Sequence, residues 1–380
     1  MKILILIQCT NLGGMEQSTL LFIQELIRLG ISVDVLSINE VGEIGDALRR
    51  AGAHVTGVGY RGRFGWRSFA DVRKALRASN ADHVLMVGHN LMAMLAIGAR
   101  WRGKKVLSLH FHHKGVMSRW SWRLIYALAV CQFKAIIFPS RFIYAEAIDI
   151  APWIRARSNV ISFPIPVHAI RDANEQTDAR RRLALDVGAF YVGNAGWLIS
   201  RKRWDVFLRV CALVAARVDN ARFLIAGDGP ERVRLESLAR ELGISDKVVW
   251  MGWLKGLDDF YKSLDVMLFN SDWDAMGRTP LEAMSHGVPT VASVINGGLG
   301  EMISQKEMGF FISEHDVESM AAEIVLIAKK PQMRQQYEAG GNKRIRDVGS
   351  AKLHTIRVLL SMGVEIPNWY LDEPDFQKES

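Results

Sequence analysis

The stretch Ser271-Asp272-Trp273-Asp274-Ala275-Met276-Gly277-Arg278-Thr279-Pro280-Leu281-Glu282-Ala283-Met284 decides how this chain is read. Two carboxylates, Asp274 and Glu282, are separated by seven residues that include a glycine and a Thr-Pro pair. Thr-Pro can open a helix, because proline fits the first helical position and has no amide to leave unpaired. The spacing then puts Asp274 in a loop and Glu282 in the first helical turn. Amides of Gly277, Arg278 and Thr279 would face the gap between the acids, and free amides at a helix start form a natural anion site. Acids that hold hydroxyls, flanking donors suited to phosphate, predict a site for a nucleotide sugar.

Outward from that stretch, short apolar runs alternate with helical-period segments, which predicts βα units and parallel sheets rather than a sandwich or a bundle. The first half predicts strands at Ile3–Ile7, Val33–Ile38, His54–Val58, His83–Val87, Val106–His110, Ala135–Phe138 and Asn159–Ser162. A helix over Met15–Leu29 follows the first of them. Pro164 and Pro166 interrupt the series and predict a linker over 163–175. The second half predicts Phe190–Asn194, Arg222–Ala226, Lys247–Met251, Asp265–Phe269, Pro289–Ala292 and Gly309–Ile312. Each of these leads into a glycine-bearing or acid-bearing loop, as expected where the carboxyl edge of a parallel sheet binds ligand. The domains are read as 1–165, 176–349, and a terminal helix and tail over 350–380.

A chain of 380 residues exceeds what one core normally supports, which agrees with two domains. With 49% hydrophobic and 23% charged residues the chain is globular rather than disordered. Cys9, Cys131 and Cys211 lie far apart without metal-type spacing and read as reduced, buried thiols of a cytoplasmic protein. Ile3–Ile7 is followed too soon by polar residues and Gly13-Gly14 to be a signal peptide, and Leu124–Phe138 is too short to span a bilayer. Residues 1–165 hold 21 Lys/Arg against 10 Asp/Glu, whereas residues 166–380 hold 27 against 30. A basic first half predicts contact with an anionic surface or acceptor.

The run from Asp274 to Glu282, continued by Ala283-Met284-Ser285-His286-Gly287-Val288-Pro289-Thr290-Val291-Ala292-Ser293, resembles the C-terminal signature of retaining glycosyltransferases of family 4. That signature has Glu, seven residues, Glu, a small-residue helix, Gly-x-Pro and a buried strand; here Asp274 stands for the first Glu. The resemblance implies an α/β GT-B fold, in which two Rossmann-like domains face a cleft and the terminal helix crosses back to the first domain. It also implies transfer of a hexose from a nucleotide-diphosphate sugar to an acceptor hydroxyl with retention of configuration. No cofactor or metal is expected beyond the donor itself.

Further motifs carry the resemblance. Gly13-Gly14-Met15-Glu16 resembles the family's Gly-Gly-x-Glu loop near the donor diphosphate, although a Gly-Gly turn also serves structure alone. His110 resembles the histidine that contacts the donor sugar. The neighbouring His112 and His113 lack a partner at defined spacing, which argues against a metal. Gly196-Trp197-Leu198-Ile199-Ser200-Arg201-Lys202 resembles Gly-Arg-Leu-x-x-x-Lys, whose Arg and Lys neutralise the diphosphate. Lys202 matches, but Trp197 stands where the family has Arg, which removes a bidentate phosphate donor. Arg201 or Arg278 is expected to supply the missing charge; both also fit a solvated surface. The expected roles are Glu282 on ribose hydroxyls, Asp274 and His110 on the donor sugar, Lys202 on the leaving diphosphate, and Gly13, Gly14, Arg201, Gly277, Arg278 and Thr279 on the donor.

A basic aromatic belt runs through Arg61, Arg63, Trp66 and Arg67, then Arg100, Trp101, Arg102, Lys104 and Lys105, then Lys114, Arg119, Trp120, Trp122 and Arg123. Tryptophan beside Lys and Arg suits an anionic membrane surface, and equally a solvated basic face over buried rings. No nucleic-acid motif accompanies it. The reading is a cytoplasmic transferase, peripheral at the inner membrane face, acting on a lipid-linked or surface-glycan acceptor. The alternative is a catalytically weak binding subunit that anchors a partner at the membrane, motivated by Asp274 and Trp197. A dehydrogenase is disfavoured, because Leu4 to Gly14 lacks the Gly-x-Gly-x-x-Gly turn.

Overall fold

The computed structural model describes residues 1–11, 13–59, 66–98, 103–110, 113, 117–294, 296–303, 311–313 and 316–372. The chain divides into two compact units, one of Met1–Pro164 with Ser350–Phe376 and one of Ile165–Gly349.

The first unit holds seven strands: β1 (Lys2–Ile7), β2 (Ser32–Ser37), β3 (His54–Gly57), β4 (His83–Val87), β5 (Lys105–Ser108), β6 (Ala135–Phe138) and β7 (Ser158–Val160). They form one parallel sheet in the order β3-β2-β1-β4-β5-β6-β7. Such a sheet needs apolar cover on both faces, so its central strands read as continuous apolar runs. Ile3, Ile5 and Ile7 of β1 are buried against Phe22, Ile23 and Leu26 of the helix Gly14–Arg28. Val358, Leu359 and Met362 of the helix Ala351–Met362 complete the same core. Beyond that helix the Tyr370 hydroxyl donates to Glu25 Oε2 at 2.5 Å, which satisfies a buried carboxylate.

The second unit holds β8 (Phe190–Ala195), β9 (Ala221–Ala226), β10 (Val248–Gly252), β11 (Val266–Phe269), β12 (Trp273–Asp274), β13 (Thr290–Val294), β14 (Asn296–Gly297) and β15 (Phe311–Ser313). Its main sheet has the order β10-β9-β8-β11-β13-β15, and β12 pairs with β14 alone. Val192, Phe223 and Val266 pack with Phe207 and Val210 of the helix Trp204–Ala215 and Ile324 of the helix Val317–Lys329. At the amino end of the sheet Asp265 accepts from Arg180 at 2.7 Å, Arg334 at 2.7 Å and the Tyr191 amide at 2.6 Å. Gln176 Nε2 adds a fourth donor at 3.3 Å, so the hydrogen-bonding capacity of this buried carboxylate is met within the unit.

Several expectations are corrected. β5 stops at Ser108, so His110 lies in the following loop rather than ending a strand. The helix Ala173–Arg182 begins inside the expected linker, where Asp172 and Glu175 form a capping box. The key helix spans Arg278–Ser285, which puts Pro280 at its third position and Glu282 in its second turn. The pair β12 and β14 was not expected, and Gly309 of the expected last strand lies outside the described residues. Cys131 is exposed, whereas Cys211 is buried and Cys9 half-buried; all three are free thiols.

Candidate active site

In an open parallel sheet, ligands collect outside the carboxyl ends of the strands where the strand order reverses. In the second unit that point lies between β8 and β11, with β9 and β10 to one side and β13 and β15 to the other. The loops following these two strands meet. Lys202 Nζ, from the loop after β8, lies 2.5 Å from Asp274 Oδ2, from the segment after β11. The Asp272 amide donates to Arg201 O at 2.9 Å, and Arg203 Nη1 donates to Asp272 Oδ1 at 3.1 Å, so the two loops are tied at both backbone and side chain. Burial pushes the Asp274 carboxyl up, but Lys202, Arg201 and the Gly277 amide outweigh it and hold the group below its usual range. The site therefore keeps an ionised carboxylate in contact with Lys202. Arg201 stacks on the Trp273 ring at 4.5 Å and donates to Trp273 O, and it has no carboxylate partner among the described residues.

Gly277 is the cap of the helix Arg278–Ser285 and sits at φ 69°, a left-handed conformation that glycine adopts without steric cost. Its own amide donates to Asp274 Oδ1 at 3.3 Å, while the amides that follow belong to the unpaired first turn. Thr279 Oγ1, at the second helical position, is buried without a hydrogen-bond partner among the described residues. Gly297 in β14 is needed for close approach. A Cβ there would lie 1.7 Å from Asp274 O, so only glycine lets β14 hold β12 and the acid it carries.

Glu282 is engaged at both oxygens. Arg278 Nε donates to Oε1 at 2.7 Å, and the Tyr261 hydroxyl donates to Oε2 at 2.8 Å. Burial and the carboxylate push the Tyr261 phenol well above its usual value, so it stays protonated and donates. Sequence reasoning missed Tyr261; its only signal was a tyrosine one helix earlier, at no fixed spacing from the acid. Arg278 is thereby committed to Glu282, which leaves Arg201 as the loop cation better suited to replace the arginine lost at Trp197. Trp197 is 56% exposed and lies against Trp253, ring centroids 4.7 Å apart.

In the first unit, Gly13 caps the helix that Gly14 begins, with an extended backbone at φ −161°. The Glu16 carboxylate takes up the space beside it, since a Cβ on Gly13 would lie 2.4 Å from Glu16 Oε2. His110 stacks on Phe163 with centroids 4.3 Å apart and planes 6° apart. Both of its ring nitrogens are buried without a partner among the described residues. Burial and the nearby His354 lower its pKa to about 3, so the ring is neutral near pH 7. His113 belongs to the core, where it meets Tyr126 and Glu146; His112 lies outside the described residues.

The aromatic belt is smaller than the sequence suggests. Trp122 is buried and its Nε1 donates to His113 O, and Lys105 is buried with its Nζ on Gly98 O. Arg61, Arg63, Arg100, Trp101, Arg102 and Lys114 lie outside the described residues, as do the side chains of Trp66 and Arg67. On the surface stand Lys104, Arg119 paired with Asp149, and Trp120 (78% exposed), Leu124 and Trp153, with the Arg123 guanidinium over both tryptophan rings at 5.5 and 4.8 Å. Among the described residues no helix is long and apolar enough to cross a membrane.

Comparison with known proteins agrees with this geometry. The family model for glycosyl transferases group 1 matches residues 175–344, and the model for glycosyltransferase family 4 matches residues 12–167. A lipopolysaccharide core biosynthesis glycosyltransferase of Rhizobium meliloti, LpsD, is 31% identical over 47% of this chain and 50% of its own length. The lipopolysaccharide core biosynthesis mannosyltransferase LpsB of the same organism is 29% identical over 45% and 50%. The chain thus spans about half the length of these relatives. The crystal structure of HepE from Anabaena with UDP and glucose superposes with a TM-score of 0.81 at 18% identity, covering 96% of this chain and 99% of that one, which establishes the GT-B fold. With both halves matched, the chain belongs to the group 1 glycosyl transferases of glycosyltransferase family 4.

Proposed function

We propose that the chain moves a hexose from a nucleotide-diphosphate sugar to a hydroxyl of a lipid-linked or surface-glycan acceptor, with retention of anomeric configuration and without a metal in the reaction. The observation that carries this reading is the Lys202–Asp274 contact at the switch point of the second sheet, beside the start of the helix Arg278–Ser285. LpsD and LpsB, both lipopolysaccharide core enzymes, favour a glycan acceptor.

Chemically, the bond from the anomeric carbon to the diphosphate oxygen breaks as the acceptor oxygen bonds to that carbon, and the acceptor proton passes to a phosphate oxygen. Negative charge grows on the leaving oxygen. Fixed donors aimed at growing charge stabilise it without reorganisation. Lys202, Arg201, the first-turn amides and the buried Thr279 hydroxyl supply such donors. Asp274, kept ionised, accepts from sugar hydroxyls. Glu282 Oε1 faces both Nε and Nη2 of Arg278, whereas Oε2 accepts from the Tyr261 hydroxyl and retains a lone pair for a ribose hydroxyl. The roles of Gly13, Gly14 and neutral His110 rest on the family resemblance. A neutral imidazole there would donate or accept a hydrogen bond on the sugar and carry no charge.

The test is transfer activity with a panel of nucleotide sugars and a glycolipid acceptor, the product anomer being read by NMR. Lys202→Ala and Glu282→Gln are expected to lower kcat/KM by about 10²-fold or more, the scale for losing one preorganised charge-stabilising donor. Near-normal turnover in both variants would refute the assignment. Activity appearing only after Asp274→Glu would favour the catalytically weak binding subunit.

A further inference from the structure

Three side chains that the donor site leaves out meet at the far end of the same helix. His286 is the C-terminal cap of Arg278–Ser285, Asp258 opens the helix Asp258–Ser263, and His168 lies in the irregular segment before Ala173. One ligand atom from each lies within 4.8 Å of the others. His286 Nε2 is 3.5 Å from Asp258 Oδ1, and the two imidazoles stack at 4.0 Å. His286 is buried, and its Nδ1 has no hydrogen-bond partner among the described residues. A buried polar nitrogen without a partner is costly unless something occupies it.

We infer that His168, Asp258 and His286 form a binding site for one divalent first-row transition cation, which clamps the helices Asp258–Ser263 and Arg278–Ser285 together. Two imidazoles and a carboxylate are the donor set that suits zinc and its neighbours, and three protein ligands leave a position for water. The helix C-terminus adds the negative end of its dipole. A metal lies in the plane of each imidazole it binds, so binding requires the stacked rings to turn about their Cβ–Cγ bonds and the exposed Asp258 carboxylate to follow. Lys262 lies 3.2 Å from Asp258 and 3.3 Å from Glu175, so it retains an acid when the cation takes Asp258. The nearby Arg171 is paired with Glu338 at 3.6 Å.

The ion touches no reacting atom. Helix rise puts it roughly 12 Å from the amides at Arg278. Its influence passes through Tyr261, which shares a helix with Asp258, stacks on His286 at 5.6 Å and donates to Glu282. Tyr261 is a positioning residue in this scheme.

Titration of tag-free, chelator-stripped full-length chain with Zn²⁺ tests the inference, with Co²⁺ absorption as the spectroscopic readout. The expected result is one ion per chain, a raised Tm, and at least a tenfold weaker affinity in His168→Gln and in Asp258→Asn, both at positions open enough to keep the fold. No binding of either ion, or unchanged affinity in both variants, would overturn it. UDP binding measured on the same samples reports on the donor site separately, so failure of this inference and failure of the transferase reading remain distinguishable.

Discussion

Buried histidines set a pH signature, His110 and His354 in the first unit and His286 in the second. His110 is lowered to about 3, and His354, whose Nδ1 lies 2.8 Å from Ser162 O, is lowered by burial to about 4. Unfolded histidine titrates near 6.5. From about pH 6.5 downward the unfolded chain takes up protons that the folded chain refuses, so stability is complete above that pH and declines toward the folded values. Tm should fall as the pH is lowered from 7.5 to 5, and His354→Gln should flatten that slope; an identical slope would contradict the assignment. The candidate acids and Lys202 were legible in the sequence because their motif fixes both spacing and loop position. The neutrality of His110 was not legible, since Phe163 and His354 reach it from distant parts of the chain.

The helix Arg278–Ser285 links sequence to site most directly, because its start, its cap and its acid all come from one motif. Gly277→Ala should destabilise the chain by about 1 kcal/mol, the usual scale for placing a side chain in the left-handed region. The new Cβ would sit 3.2 Å from Leu299 Cβ, which adds crowding. Denaturant unfolding measures this loss, and unchanged stability would mean that the cap relaxes. Strand positions were legible to within a few residues because buried parallel strands are unbroken apolar runs. The β12–β14 pair was not, because two residues per strand leave no periodicity, and the helix start moved by two residues because proline is tolerated anywhere in the unpaired first turn.

For the whole molecule, two surface tryptophans of the first unit flank one guanidinium, that of Arg123. Trp120, Leu124 and Trp153 around Arg123 form an apolar and cationic patch suited to an anionic bilayer surface. Co-sedimentation with anionic vesicles at low salt should be strong, and Trp120→Ser with Leu124→Ser should weaken it several-fold; equal binding would leave this patch without a membrane role. Two α/β units were legible from length and alternation, whereas the extent of the belt was not, because burial of Trp122 and Lys105 depends on packing that no local pattern encodes.

The transferase reading requires the loops after β8 and β11 to hold the diphosphate of a nucleotide sugar through Lys202. Calorimetric titration with UDP, GDP and the corresponding nucleosides tests it most directly. One nucleoside diphosphate should bind far more tightly than its nucleoside, and Lys202→Ala should lose at least tenfold of the diphosphate affinity while leaving nucleoside binding unchanged. Equal diphosphate affinity in the native chain and the variant would contradict the account.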